Sequence, residues 1–227
     1  MATTRHGTNH MTLYGIMTAE PMFDHSLRGR DYYSAIINVT RLSNTVDMIP
    51  VIIPDDLIDR DKVYSNTALK IDGYFRSRNF MGEDGKHHTA LYMYATAIET
   101  IAEISEDVPT NQIFIRGYIC KKPVFRTTPA GRQITDVIIA IPRPTNGSDY
   151  IPCILWNDQA RIMKSLEVGM GVALLGRVQS REYVNKKEEQ HTAYEVSVSR
   201  ITDTMPKNNV RVDEKETKHV TQPETGK

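Results

Sequence analysis

Sliding the chain along itself by 102 positions lays residues 9–53 on 111–155 without a gap, and 14 of the 45 paired positions are identical. The identities include Gly15/Gly117, Gly29/Gly131, Arg41/Arg143 and Asp47/Asp149. With one added residue the register continues: GYFRSRNF (73–80) falls on GRVQSREY (176–183), and HHTAL (87–91) on QHTAY (190–194). An exact offset of this kind marks a duplicated unit, so one fold of under a hundred residues must serve twice. The expected limits are 9–104 and 111–204, joined by SEDVPT (105–110). Residues 205–227, with almost no apolar content, are expected to form a disordered tail.

The duplication also unmasks the charge. The whole chain balances 28 Lys+Arg against 28 Asp+Glu. Repeat 1 has 9 − 13 = −4 and repeat 2 has 13 − 9 = +4, so a basic domain hides behind a neutral total. No apolar run reaches the roughly 18 residues of a membrane helix, and MATTRHGTNHM lacks the apolar core of a signal peptide. A cytoplasmic, nucleoid-associated protein is therefore expected. Two cysteines, Cys120 and Cys153, are too few for a disulfide framework or zinc site and read as core hydrophobes.

Each repeat reads as strands with one helix. In repeat 2 the strands are NQIFIRGYIC (111–120), TDVIIAIPR (135–143), YIPCILW (150–156), GVALLGRVQSREY (171–183) and TAYEVSVSRI (192–201). Pro123 ends the first pairing run, and TPAGR (128–132) turns the chain with Gly131 at positive φ. DQARIMKSL (158–166) is the helix, with Asp158 near its N-cap; DDLIDRDKVYS (55–65) fills that slot in repeat 1. Three strands, a helix and two strands form the order of the OB-fold. The expected class is all-β with short helices: two tandem five-stranded Greek-key barrels.

In GRVQSREY the period-two alternation places Arg177, Gln179, Arg181 and Tyr183 on one face. In the third strand Ile151, Cys153 and Leu155 line the barrel, which turns Tyr150 and Trp156 outward beside that face. Rings interleaved with guanidiniums suit single-stranded nucleic acid, because bases stack on the rings while cations track phosphates. Lys121, Lys122, Arg126, Arg132 and Arg143 extend this expected groove. In repeat 1, Tyr74, Arg76, Arg78 and Phe80, with Arg30 and Arg41, form a weaker second site.

These stretches resemble the bacterial single-stranded DNA-binding protein (SSB) family: NQIFIRGYICKKPVFRTTPAGRQITDVIIAI, DYIPCILW and GRVQSREY. The resemblance implies a non-enzymatic protein that coats single-stranded DNA in replication, recombination or repair. It places stacking aromatics at Tyr150, Trp156 and Tyr183; repeat 1 has Met48, Pro54 and Phe80 there. It also implies four OB-folds per assembly, which a tandem chain reaches as a homodimer, and contacts with replication proteins. The acidic tip with a terminal aromatic, common in the family, has no match in ETGK.

Two alternatives stay open at this point, a primosome-type or other protein-interaction OB module and an RNA-binding OB protein. No catalytic set, cofactor motif or small-molecule site is legible. His6 and His10 lack a third metal ligand, and Asp55, Asp56, Asp59 and Asp61 read as a solvated helix start, so no metal is expected.

Overall fold

The computed structural model describes residues 9–59, 61–82, 85–144, 147–184, 188 and 190–206. Repeat 1 forms β1 (Asn9–Met17), β2 (Met22–Leu27), β3 (Arg30–Thr40), β4 (Val46–Pro54), β5 (Ala68–Met81) and β6 (His87–Thr100). Repeat 2 forms β7 (Asn111–Ile119), β8 (Val124–Thr127), β9 (Gln133–Pro142), β10 (Ser148–Trp156), α1 (Asn157–Lys164), β11 (Gly171–Val184) and β12 (Gln190–Met205). The expected tail falls outside the described residues from position 207 onward.

Five strands close each barrel. In repeat 2, β7 pairs with β9 and β11, β9 with β10, and β11 with β12, while β12 meets β10 in parallel to complete the ring. Repeat 1 closes identically through β1, β3, β4, β6 and β5, with β4–β6 the parallel seam. Four antiparallel pairings and one parallel closure make each repeat an OB-fold. Ile151, Cys153 and Leu155 point into barrel 2 with Ile113, Ile115, Val172, Leu174 and Val178, as the alternation predicts.

Gly15 and Gly117 lie where the first strand leaves one neighbour for the other. A Cβ on Gly117 would sit 2.4 Å from the Ala140 carbonyl oxygen, and one on Gly15 would sit 2.6 Å from that of Asn38. Only glycine admits this close crossing of backbones.

Three local readings change. Pro123 does end β7, but Val124–Thr127 then pairs with β9 as the extra strand β8, folded back by the turn that holds Gly131 at φ +76°. The helix in repeat 2 begins at Asn157, after Trp156, so Asp158 lies in its first turn, bonded to Arg161 at 2.7 Å. In repeat 1 the helix slot holds a single 3-10 turn, Asp55–Leu57. Asp55 and Asp56 are engaged there by the Arg30 guanidinium, and Asp59 and Asp61 form their own turn.

The two barrels are joined edge to edge. β1 pairs antiparallel with β7, matching Asn9 to Ile115 and Leu13 to Asn111, so all the strands form one continuous sheet. Asn9 bonds both backbone groups of Phe75 (Nδ2 to O 2.6 Å, N to Oδ1 3.0 Å). Asn111 does the same at Val178 (2.6 and 3.0 Å). The tandem chain is thus a covalent pseudo-dimer about a local two-fold axis.

Candidate nucleic-acid interface

The pseudo-two-fold is clasped by two buried aspartates. Asp149, on β10 of repeat 2, reaches β5 of repeat 1, where it accepts from the Ser77 backbone N–H at 2.8 Å and pairs with Arg76 at 2.9 Å. Arg143 from its own repeat closes over it at 2.6 Å and donates to the Ser77 carbonyl at 2.7 Å. Its counterpart Asp47 accepts from the Ser180 N–H at 2.7 Å on β11 and from Arg41 Nε at 2.7 Å. Both carboxylates are 1% exposed. A charge so desolvated persists only when fully paired and hydrogen-bonded.

These clasps correct several expectations. Arg41 and Arg143 are structural cations committed to Asp47 and Asp149, and the bond to Asp47 holds the Arg41 pKa above its ordinary value. Arg177 is half-buried: its Nη2 donates to Gln179 Oε1 at 3.2 Å, while its Nη1, 3.5 Å from Asp47, makes no hydrogen bond among the described residues. Burial, and then the neighbouring Arg41 charge, lowers its pKa. Gln179 is buried and donates to Glu195 at 2.7 Å. Burial raises the Glu195 pKa, and the Gln179 bond opposes the rise. The expected solvent-facing file of Arg177 and Gln179 is therefore an internal polar layer.

Tyr150 does turn away from the barrel, but it is 4% exposed. Ile138, Ala140 and Cys120 pack on it, and its backbone N–H donates to Ser77 Oγ of repeat 1 at 2.8 Å. Outward from one barrel here means inward between two. Arg126 is paired with Asp136 at 2.8 Å, and Arg76, besides its clasp, lies 5.0 Å over the Tyr74 ring. Arg30 is spent on Asp55 and Asp56.

What remains accessible is concentrated on the β11–β12 hairpin and the third-strand end. Arg181 is exposed and lies 5.8 Å from the Tyr183 ring centroid, while Tyr183 stacks on His191 at 5.7 Å and 28°. Trp156 is half-exposed and tethered by Nε1 to Ser197 Oγ at 3.3 Å, leaving a ring held in place beside solvent. Lys122 and Arg132 are exposed, and Lys121 is half-buried, on the segments flanking β8. Repeat 1 repeats the hairpin geometry: Phe80, 45% exposed, stacks on His88 at 5.6 Å, with exposed Arg78 two residues before it.

Sequence reading gave no role to His88 and His191, although HHT and QHT recur at the same place in both repeats. It also missed repeat 1's own rings. Tyr32 stacks on His25 at 4.7 Å and neighbours Tyr94, and Phe23 meets Tyr33 edge-on, yet Arg30, Asp55 and Asp56 surround that surface. Of these rings only Phe23 has an aromatic partner across the repeats, Phe125, so the duplication carried no signal for the clusters.

Closed β-barrels in tandem, locked by a shared sheet and offering rings beside arginines at a hairpin, define a tandem OB-fold protein of the strand-binding kind. The single-strand binding protein family model matches residues 110–203 of the chain. The chain is 22% identical over 225 residues to the single-stranded DNA-binding protein of Deinococcus radiodurans, covering 86% of this chain and 75% of that one. It is 30% identical over 105 residues to single-stranded DNA-binding protein A of Bacillus subtilis, covering 43% of this chain and 61% of its relative. Its fold matches the crystal structure of the wild-type single-stranded DNA-binding protein from Thermus aquaticus with a TM-score of 0.69. That match covers 91% of this chain and 96% of the other at 16% identity. Among the described residues no helix is long and apolar enough to cross a membrane.

Proposed function

We propose that this protein binds single-stranded DNA without sequence preference and coats it during replication, recombination or repair. The observation that carries this reading is the β11–β12 hairpin. Arg181, Tyr183 and His191 form a preassembled cation–ring–ring stack on the basic barrel, within the segment that matches the family. A base stacking on such a platform contributes about 1–3 kcal/mol, and the arginine adds phosphate and cation–π contacts. Trp156 supplies a second ring, and Lys121, Lys122 and Arg132 supply further phosphate contacts. Repeat 1 offers the shorter version, Arg78, Phe80 and His88.

The assembled form is a homodimer with four OB-folds. Its support is the outer face of the β5–β1–β7–β11 sheet, where register aligns Leu175 with Phe114 and Phe114 with His10. This face presents half-buried Tyr74, Phe114 and Leu175 across both repeats with exposed His10 between the first two, a largely apolar row that a second copy covers by isologous packing. Light scattering at micromolar concentration should give twice the mass of the chain; a monomer rejects the dimer.

The lone Trp156 reports binding directly. Titration with oligo-dT is expected to quench its fluorescence, duplex DNA to leave it nearly unchanged, and affinity to fall steeply with salt. Oligo-U in parallel measures the preference for DNA over RNA. No quenching and no electrophoretic shift with oligo-dT overturns the reading.

A further inference from the structure

The two junctions created by the pseudo-two-fold have equivalent scaffolds but different chemistry. At the Asp149 clasp, a cleft of about 290 Å³ opens between the barrels, lined by Arg78, Asn79 and Tyr92 of repeat 1 and Arg143, Ser148 and Tyr150 of repeat 2. That volume lies near the lower end of small-ligand sites, roughly 300 Å³. Carrying each residue through the repeat register gives Arg181, Glu182, Glu195, Arg41, Val46 and Met48 at the Asp47 clasp. One junction therefore has two tyrosines, an amide and a hydroxyl where the other has two carboxylates and two apolar side chains.

Charge separates them further. Around Asp149 stand Arg76, Arg78 and Arg143, so 3 − 1 = +2. Arg41 and Arg177 stand at Asp47, and the repeat register adds Arg181, Glu182 and Glu195 at the positions of Arg78, Asn79 and Tyr92, so 3 − 3 = 0. Arg78 is the exposed member at the first junction, and its charge enters no ion pair among the described residues. The local excess of +2 lies on the rim of the repeat whose overall charge is −4, so it is a feature of the junction and not of either domain.

Resting on the single-strand reading above, we propose that the Arg78–Tyr92–Arg143 cleft holds a nucleotide of the bound strand as it passes from repeat 1 to repeat 2, and that the Asp47 junction does not. A phosphodiester fits the excess positive charge, Asn79 and Ser148 offer hydrogen bonds to base or sugar, and the half-buried Tyr92 flanks the base. The carboxylates at the opposite junction repel the same phosphate. The strand thus crosses between barrels on one side of the pseudo-dimer, giving the tandem chain a polarity that two identical barrels lack.

Two measurements test the path. Quenching of Trp156 is followed with oligo-dT short enough for one barrel, about 8 nucleotides, and with a strand of about 35, since OB-folds occupy roughly 4–16 nucleotides each. Asn79→Asp keeps the acceptor for the Thr89 hydroxyl and puts a carboxylate where the repeat register has Glu182; it should weaken the long strand by about tenfold and leave the short strand unchanged. Met48→Ala in the opposite junction should change neither. Irradiating oligo-dT carrying 5-iodo-deoxyuridine should yield a peptide adduct at Tyr92. Unchanged long-strand affinity in the Asn79 variant, equal losses at both lengths, or adducts that spare Tyr92 overturn the path. Absence of any binding by the unaltered protein instead rejects the single-strand reading itself.

Discussion

Asp149 of the second barrel accepts the backbone N–H of Ser77 in the first barrel at 2.8 Å. Ser77 lies between Arg76 and Arg78 on β5, three residues before Phe80, so the strand leading to one barrel's ring-bearing hairpin is anchored by the other barrel's carboxylate. Asp47 does the same at Ser180, three residues before Tyr183. Each hairpin is therefore positioned across the domain boundary, and the two barrels cannot rotate independently without uncovering a buried charge.

Asp149→Ala leaves Arg76 and Arg143 facing each other with no carboxylate between them. It should lower stability by about 3–5 kcal/mol, the usual cost of breaking a buried pair from one side. Denaturant unfolding checks this, and a loss under about 1 kcal/mol would show that water replaces the carboxylate without difficulty.

Tyr183 and Tyr150 separate binding from packing. Tyr183→Ala should weaken oligo-dT binding about 5- to 150-fold, the equivalent of one base stack, with an unchanged melting temperature. Tyr150→Ala should do the reverse in kind, costing about 3 kcal/mol or more of stability through a cavity beside Ile138 and Ala140. Melting curves paired with fluorescence titrations distinguish the two, and a thermally silent Tyr150→Ala contradicts its burial.

Glu195 makes stability pH-dependent with a definite sign. Burial raises its folded-state pKa, so between the ordinary carboxylate range and that raised value the native state binds more protons than the unfolded chain. Its contribution to stability therefore declines as pH rises through this window. Glu195→Gln keeps an acceptor for Gln179 and removes the titration, so the variant should gain on the parent as pH climbs from 4 to 7. Parallel stability curves across that range would refute the assignment.

Gly117→Ala forces a methyl against the Ala140 carbonyl oxygen at the crossing of β7 over β9. Overpacking of this kind costs about 1–3 kcal/mol. Hydrogen exchange should show the loss first at the β7–β9 pairing of Tyr118 and Ile119; uniform loss of protection would place the strain elsewhere.

Alternation, turn residues and the repeat made the barrels legible, because strand order and the core file of Ile151, Cys153 and Leu155 depend on local pattern alone. Of the candidate residues, Arg181 and Tyr183 on the projecting hairpin, Trp156 at the third-strand end, and Lys122 and Arg132 beside β8 stay accessible as the pattern suggests. Arg41, Arg143 and Arg177 read as surface cations because the carboxylates that consume them act across the turn or the domain boundary. A trace was present all the same: Arg41/Asp47 and Arg143/Asp149 recur at the same spacing, and Ser77/Ser180 recur on the facing strand. Polar identities kept at internal positions of a duplicated domain point to a shared bond.

By itself the sequence determined the duplication, the five-stranded closure of each unit and the opposite charge of its halves, since all three follow from composition and periodicity within the chain. The tertiary structure decided which cations and rings remain for a ligand. Joining β1 to β7 turns one outer face of each barrel into an interior, and burial there demands pairing of every charge. That demand buries Gln179 and Tyr150, ties the part-exposed Arg41 and Arg143 to carboxylates, and leaves Arg143 lining a basic cleft between the barrels at the Asp149 junction.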